Sequence, residues 1–84
     1  MLNEILTGQQ VSSTFSPTSP VTDIVVSAGG AGEVWLEVQL PTSGAWVPIT
    51  NKRGAFSVQT PDTGLTYRFR ADLYGGEAEV YAGP

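Results

Sequence analysis

Apolar and polar residues alternate strictly through the middle of the chain. Val34, Leu36, Val38 and Leu40 interleave with Glu33, Trp35, Glu37 and Gln39, a period of two that predicts a half-buried strand. Pro41-Thr42-Ser43-Gly44 is turn chemistry, because Pro sets φ and Gly accepts φ > 0. Ala45-Trp46-Val47-Pro48-Ile49 reads as the returning strand. Pairing Leu40 with Ala45 puts Trp46 across from Gln39, Val38 across from Val47 and Leu36 across from Ile49. Both apolar sets then share one side of a hairpin. Pro48 has no N–H to give to a ladder, so this strand is expected at a sheet edge.

The rhythm continues towards the C-terminus. Asn51-Lys52-Arg53-Gly54 is a turn, and residues 55–60 alternate again with Phe56 and Val58 on the apolar side. Pro61-Asp62-Thr63-Gly64 is a further turn signal. Leu65, Tyr67, Phe69 and Ala71 then alternate with Thr66, Arg68, Arg70 and Asp72. After Gly75-Gly76, Ala78, Val80 and Ala82 oppose Glu77, Glu79 and Tyr81. A hairpin closed around Tyr74-Gly75 sets Phe69 beside Val80 and Arg70 beside Glu79. That ion pair is worth at most about 1 kcal/mol, and the same register brings Asp72 near Glu77.

The N-terminal third is less regular. Residues 21–28 are β-branched and read as a strand, joined to the next by the flexible run Gly29-Gly30-Ala31-Gly32. Gln9 to Phe15 forms a further strand with Val11, Ser13 and Phe15 on one side, and residues 16–20 are an extended connector. Residues 1–8 are read as an arm or a first short strand, so their deletion is expected to leave the fold intact. No stretch carries a 3.6-residue period, and no internal repeat suggests a solenoid. The expected fold is all-β, a small antiparallel β-sandwich or barrel of six or seven short strands with an extended N-terminal arm. Residues 1–20 hold the arm and first strand, and residues 21–84 the sandwich domain.

Composition narrows the chemistry. The 84 residues include no Cys and no His, which removes disulfides, thiolate zinc sites and every His-based triad. No Asp-rich calcium loop is visible. The expectation is no catalytic residue, no metal and no cofactor. Lys and Arg number 4 against 8 Asp and Glu, a net charge of −4, so nucleic acid is not an expected partner. No apolar run approaches the roughly 20 residues of a membrane-spanning helix, and the first residues lack the basic and apolar regions of a secretory signal. Glu33 with Glu37, and Glu77 with Glu79, share strand faces as the paired carboxylates of glycosidases do. We read them as solvated outer faces, and the glycine run as a linker without the Lys of a phosphate loop.

A chain this short with no covalent or metal support is expected to oligomerise. Trp35, Trp46 and Tyr81 fall on the charged sides of their strands. Clustered aromatics on an outer face suit a protein interface, or stack on sugars.

A family resemblance can be placed on these residues. Gly32-x-Val34-x-Leu36-Glu37, then Trp46-Val47-Pro48-Ile49, Gly54-x-Phe56, Pro61 to Gly64, Tyr67-Arg68-Phe69-Arg70-Ala71, Gly75-Gly76 and Val80-Tyr81 together resemble small β-sandwich virion structural proteins of tailed bacteriophages. The resemblance covers roughly residues 30–82, and residues 1–29 carry none of its motifs. It implies a non-enzymatic head-decoration, head-fibre or tail-associated subunit, made in the host cytoplasm and incorporated in the virion. The partners it implies are other copies of the chain and virion proteins such as the major capsid protein. Trp35, Trp46 and Tyr81 are the expected interface. The alternative is a carbohydrate-binding or adhesion module that uses the same aromatics.

Overall fold

A computed structural model describes residues 2–60 and 64–83. The turn expected at residues 61–64 falls mostly outside them. The chain is all-β. Among the described residues six strands, β1 (Leu2–Val11), β2 (Val21–Val26), β3 (Ala31–Gln39), β4 (Trp46–Thr50), β5 (Gly54–Gln59) and β6 (Thr66–Gly83), form one antiparallel sheet. The sheet curls around its core like half of a barrel.

The last strand organises the sheet. β3 pairs with the first part of β6 from Gly75 back to Thr66, and β2 pairs with its end from Val80 to Gly83. β1 runs along β6 from Ala82 to Arg70. Two arms result: β4 extends β3 on one, and β5 extends β2 on the other. The hairpin expected around Tyr74-Gly75 does not form, because β6 continues through this point as one strand. Phe69 therefore lies across from Leu36, not Val80, and Arg70 across from Trp35, not Glu79. Competition for partners explains the difference. β3 and β1 both pair with the first part of β6, leaving no free edge for its own C-terminal part.

The glycines at this point do something else. Before it, Tyr67, Phe69, Ala71 and Leu73 are buried; after it, Ala78, Val80 and Ala82 are. The inward parity changes from odd to even. β1 registers the same event as a break between Thr7 and Gln9, where Gly8 takes φ 58°. Extra residues in β6 form a bulge that bends the strand, and Gly76 supplies φ 71°. The bend lets one strand serve both arms while keeping its apolar set inside.

The connection between β2 and β3 crosses this bend. A Cβ on Gly32 would run into the Asp72 carbonyl oxygen, so only glycine permits the approach. Arg53, in the turn before β5, clamps the crossing. Its Nη1 donates to the carbonyls of Ser27 (2.9 Å) and Gly29 (2.7 Å), and its Nη2 to those of Gly30 (3.3 Å) and Gly32 (3.0 Å). The run read as a flexible linker is a fixed crossing.

The core joins both arms: Leu2 and Leu6 from β1, Ile24 and Val26 from β2, Val34 and Leu36 from β3, and the inward residues of β6. Phe15 stacks on Tyr67 and Phe69, each at 5.8 Å between ring centroids. The expected N-terminal arm is thus not an arm. It is a ten-residue strand whose leucines occur at every fourth position, a spacing too sparse to show as alternation. Glu4, at the inward parity between them, accepts the Ser13 N–H at 3.2 Å. Val11 is exposed and Phe15 packs against the core, so the shared side expected for residues 11–15 is not kept.

The hairpin of β3 and β4 keeps most of the expected register, although Leu40, Val47 and Ile49 of its apolar set stay exposed. Gln39 pairs with Trp46, Val38 with Val47 and Glu37 with Pro48. Leu36 meets Thr50 instead of Ile49, because Ile49 is the extra residue of a bulge. β4 ends the sheet order, where its Pro48 is harmless.

Candidate functional site

The outer face of the β3–β6 arm carries the most concentrated polar chemistry of the described chain. Glu33, Trp35, Glu37 and Gln39 face outwards from β3, because Val34 and Leu36 face in. The register sets Glu37 across from Arg68 and Trp35 across from Arg70. Arg68 Nε donates to Glu37 Oε1 at 3.0 Å, and Arg70 Nε to Oε2 at 2.9 Å. Each carboxylate oxygen holds one guanidinium. Trp46 arrives from β4 and lies over Arg68, with the guanidinium carbon 4.1 Å from the ring centroid.

These contacts bury Glu37 to 4% exposure on a face that alternation marks as polar. The expectation that Glu33 and Glu37 are both solvated fails for Glu37. The flanking arginines and Trp46 shield it. Glu33 is exposed and accepts Asn51 Nδ2 at 2.7 Å, and Glu79 accepts Asn3 Nδ2 at 2.9 Å. Two arginines on one carboxylate leave a local charge of +1 in a chain of net −4. The other cations are engaged elsewhere, Arg53 by carbonyls and Lys52 over the Phe56 ring at 5.5 Å.

The residues expected at an interface divide between the arms. Trp35 and Trp46 are half-buried on the outer face of the β3–β4 arm, with Glu37 between them along the strand. Tyr81 is half-buried on the other arm, between Asn3 of β1 and Val25 of β2. Glu37, Arg68 and Arg70 were not singled out as a unit from the sequence. Their signal was present as outward parity on two strands, but it needed β3 to be recognised as the partner of β6.

Two shallow features adjoin these residues. One cleft lies along β1 and β6 between Gln9, Gln10, Val11, Arg70 and Asp72. Another lies beside Tyr81 between Asp23, Val25 and Phe56. Among the described residues no three His, Cys, Asp or Glu side chains gather as metal ligands. No family pattern matches the chain, and comparisons with curated proteins and with solved structures return no significant match.

Proposed function

We propose that the chain is a non-enzymatic structural subunit that acts by self-association and docking, as a decoration, fibre-base or tail-associated protein of a phage particle. The observation that carries the docking part is the Trp46–Arg68–Glu37–Arg70 array. Trp and Arg are the residue types richest in interface hot spots. Here a buried carboxylate holds both arginines and Arg68 lies against the Trp46 ring, so less side-chain entropy remains to be lost on docking. The phage part rests on the motif resemblance over residues 30–82. In this reading the partners are further copies and virion proteins such as the major capsid protein, and the protein resides in the virion after synthesis in the host cytoplasm.

The test pairs two measurements. Sedimentation of the purified chain reports its mass, and co-purification with tail-less and intact particles reports docking. Trp46→Ala is expected to leave the fold intact and to lower particle occupancy at least 10-fold, with Trp35→Ala a weaker version. A monomeric chain that binds no particle, but whose Trp fluorescence shifts with sugars, would replace this reading with the carbohydrate-binding one.

A further inference from the structure

The free edge of β1 is built differently from that of β4. β4 is blunted by Pro48 and by the bulge at Ile49. β5 (Gly54–Gln59) carries no proline, lysine or bulge of its own and is shorter, six residues against ten. Proline, bulges and lysine are the usual guards of an edge strand. From Leu2 to Thr7, β1 has none of them. Its single charged side chain, Glu4, is turned to the inward parity and bonded to Ser13.

The direction of the backbone groups can be traced. Glu79 accepts the Ser27 N–H, so it faces the β2 side. Ala78, Val80 and Ala82 therefore face β1, where their partners are Leu6, Glu4 and Leu2. The N–H and C=O of Asn3 and Ile5 consequently point away from the sheet. The Ile5 side chain is 56% exposed beside them.

We infer that this edge pairs with β1 of a second copy, antiparallel about a two-fold axis through Ile5. This rests on the self-association reading and names its seam. In that register Ile5 faces its own symmetry mate, Asn3 faces Thr7, and Glu4 faces Leu6, so no like charges are directly opposed and the two Glu4 lie on a diagonal about 8 Å apart. Glu79, across from Ile5 in each copy, stands about 14 Å from its mate at three strand spacings. That exceeds the screening length of about 8 Å at physiological salt. The seam ends where the chain ends it. The Thr7 N–H is taken by Gln10 Oε1 at 2.9 Å, and Gly8 then turns the strand.

The test is sedimentation of the wild-type chain and of Ile5→Glu, with amide hydrogen exchange on the wild type. Ile5→Glu lines carboxylates across the two-fold and touches no core residue, and circular dichroism checks its fold. The expected result is a wild-type mass of at least two chains and a halved mass for Ile5→Glu. The Asn3 and Ile5 amides should exchange at least 10-fold more slowly in the associated state than on dilution. An oligomer in which Ile5→Glu keeps the mass and these amides exchange freely would overturn the seam and leave self-association standing. A wild-type chain that stays monomeric at high concentration would overturn both.

Discussion

Glu37 is buried because Arg68 approaches it at 3.0 Å from the facing strand, on the side of the sheet that alternation assigns to solvent. The pair converts an outward position into a packed one. Replacing the carboxylate by an amide removes the negative charge and leaves one acceptor oxygen for two guanidiniums, with an NH2 turned towards the other. Breaking a fully buried pair costs about 3–5 kcal/mol. Here the arginine side chains keep 21% and 37% exposure, so Glu37→Gln is expected to cost about 2 kcal/mol after screening. Urea unfolding checks this, and a change below about 0.5 kcal/mol would mean that the array stabilises nothing.

Gly32→Ala should be severe. At φ 126° the new Cβ runs into the Asp72 carbonyl oxygen and lies 2.9 Å from the Leu73 Cα. Both obstacles are backbone, so neither can swing aside. A loss of at least about 3 kcal/mol is expected. Gly54→Ala is the control, because Gly54 has φ 90° but open space around it. Its cost should be about 1–2 kcal/mol. Equal thermal shifts for the two variants would show that the crossing is not tight.

Arg53→Lys keeps the charge and loses the fork. An ammonium cannot reach the four carbonyls that the guanidinium spans. The expected loss is about 2 kcal/mol. At about 4–8 °C per kcal/mol for a domain of this size, Tm should fall by about 8–16 °C. Differential scanning calorimetry reads it directly.

Deleting residues 1–8 should abolish the fold, the reverse of what the sequence suggested. The deletion removes Leu2 and Leu6, the latter completely buried, and uncovers one side of β6. Removing one buried leucine already costs about 2–5 kcal/mol. Far-UV circular dichroism of the truncated chain is the measurement, and a native strand spectrum would refute the assignment of β1 to the core.

What was legible in the sequence was local. Strict alternation located β3, and turn chemistry with the apolar sets placed Trp46 across from Gln39 and Pro48 at an edge. Phe69 inside and Arg70 outside could likewise be read from parity alone. Long-range pairing was not legible, because Arg70 meets either Glu79 or Glu37 with equal chemical sense. The glycine pair at 75–76 has the same composition whether it closes a hairpin or bends one strand. Whether residues 1–8 are an arm or a strand stays open in the sequence, because polar residues occupy the positions between the leucines of β1. The array on the outer face was hidden for the same reason as the topology, since its members come from three strands.

β6 is the last of the strands in chain order, yet β1, β2 and β3 all hydrogen-bond to it. During synthesis the first five strands emerge with no central partner, and only the β2–β5 and β3–β4 pairings can form. Isolated two-stranded units are marginal in water. The chain therefore commits to its native state only after its final strand has left the ribosome, and then through contacts of high sequence separation, which close slowly. The β1 edge and the apolar faces stay unsatisfied over that interval. Substitutions that weaken β6 therefore act on the rate of folding as well as on final stability.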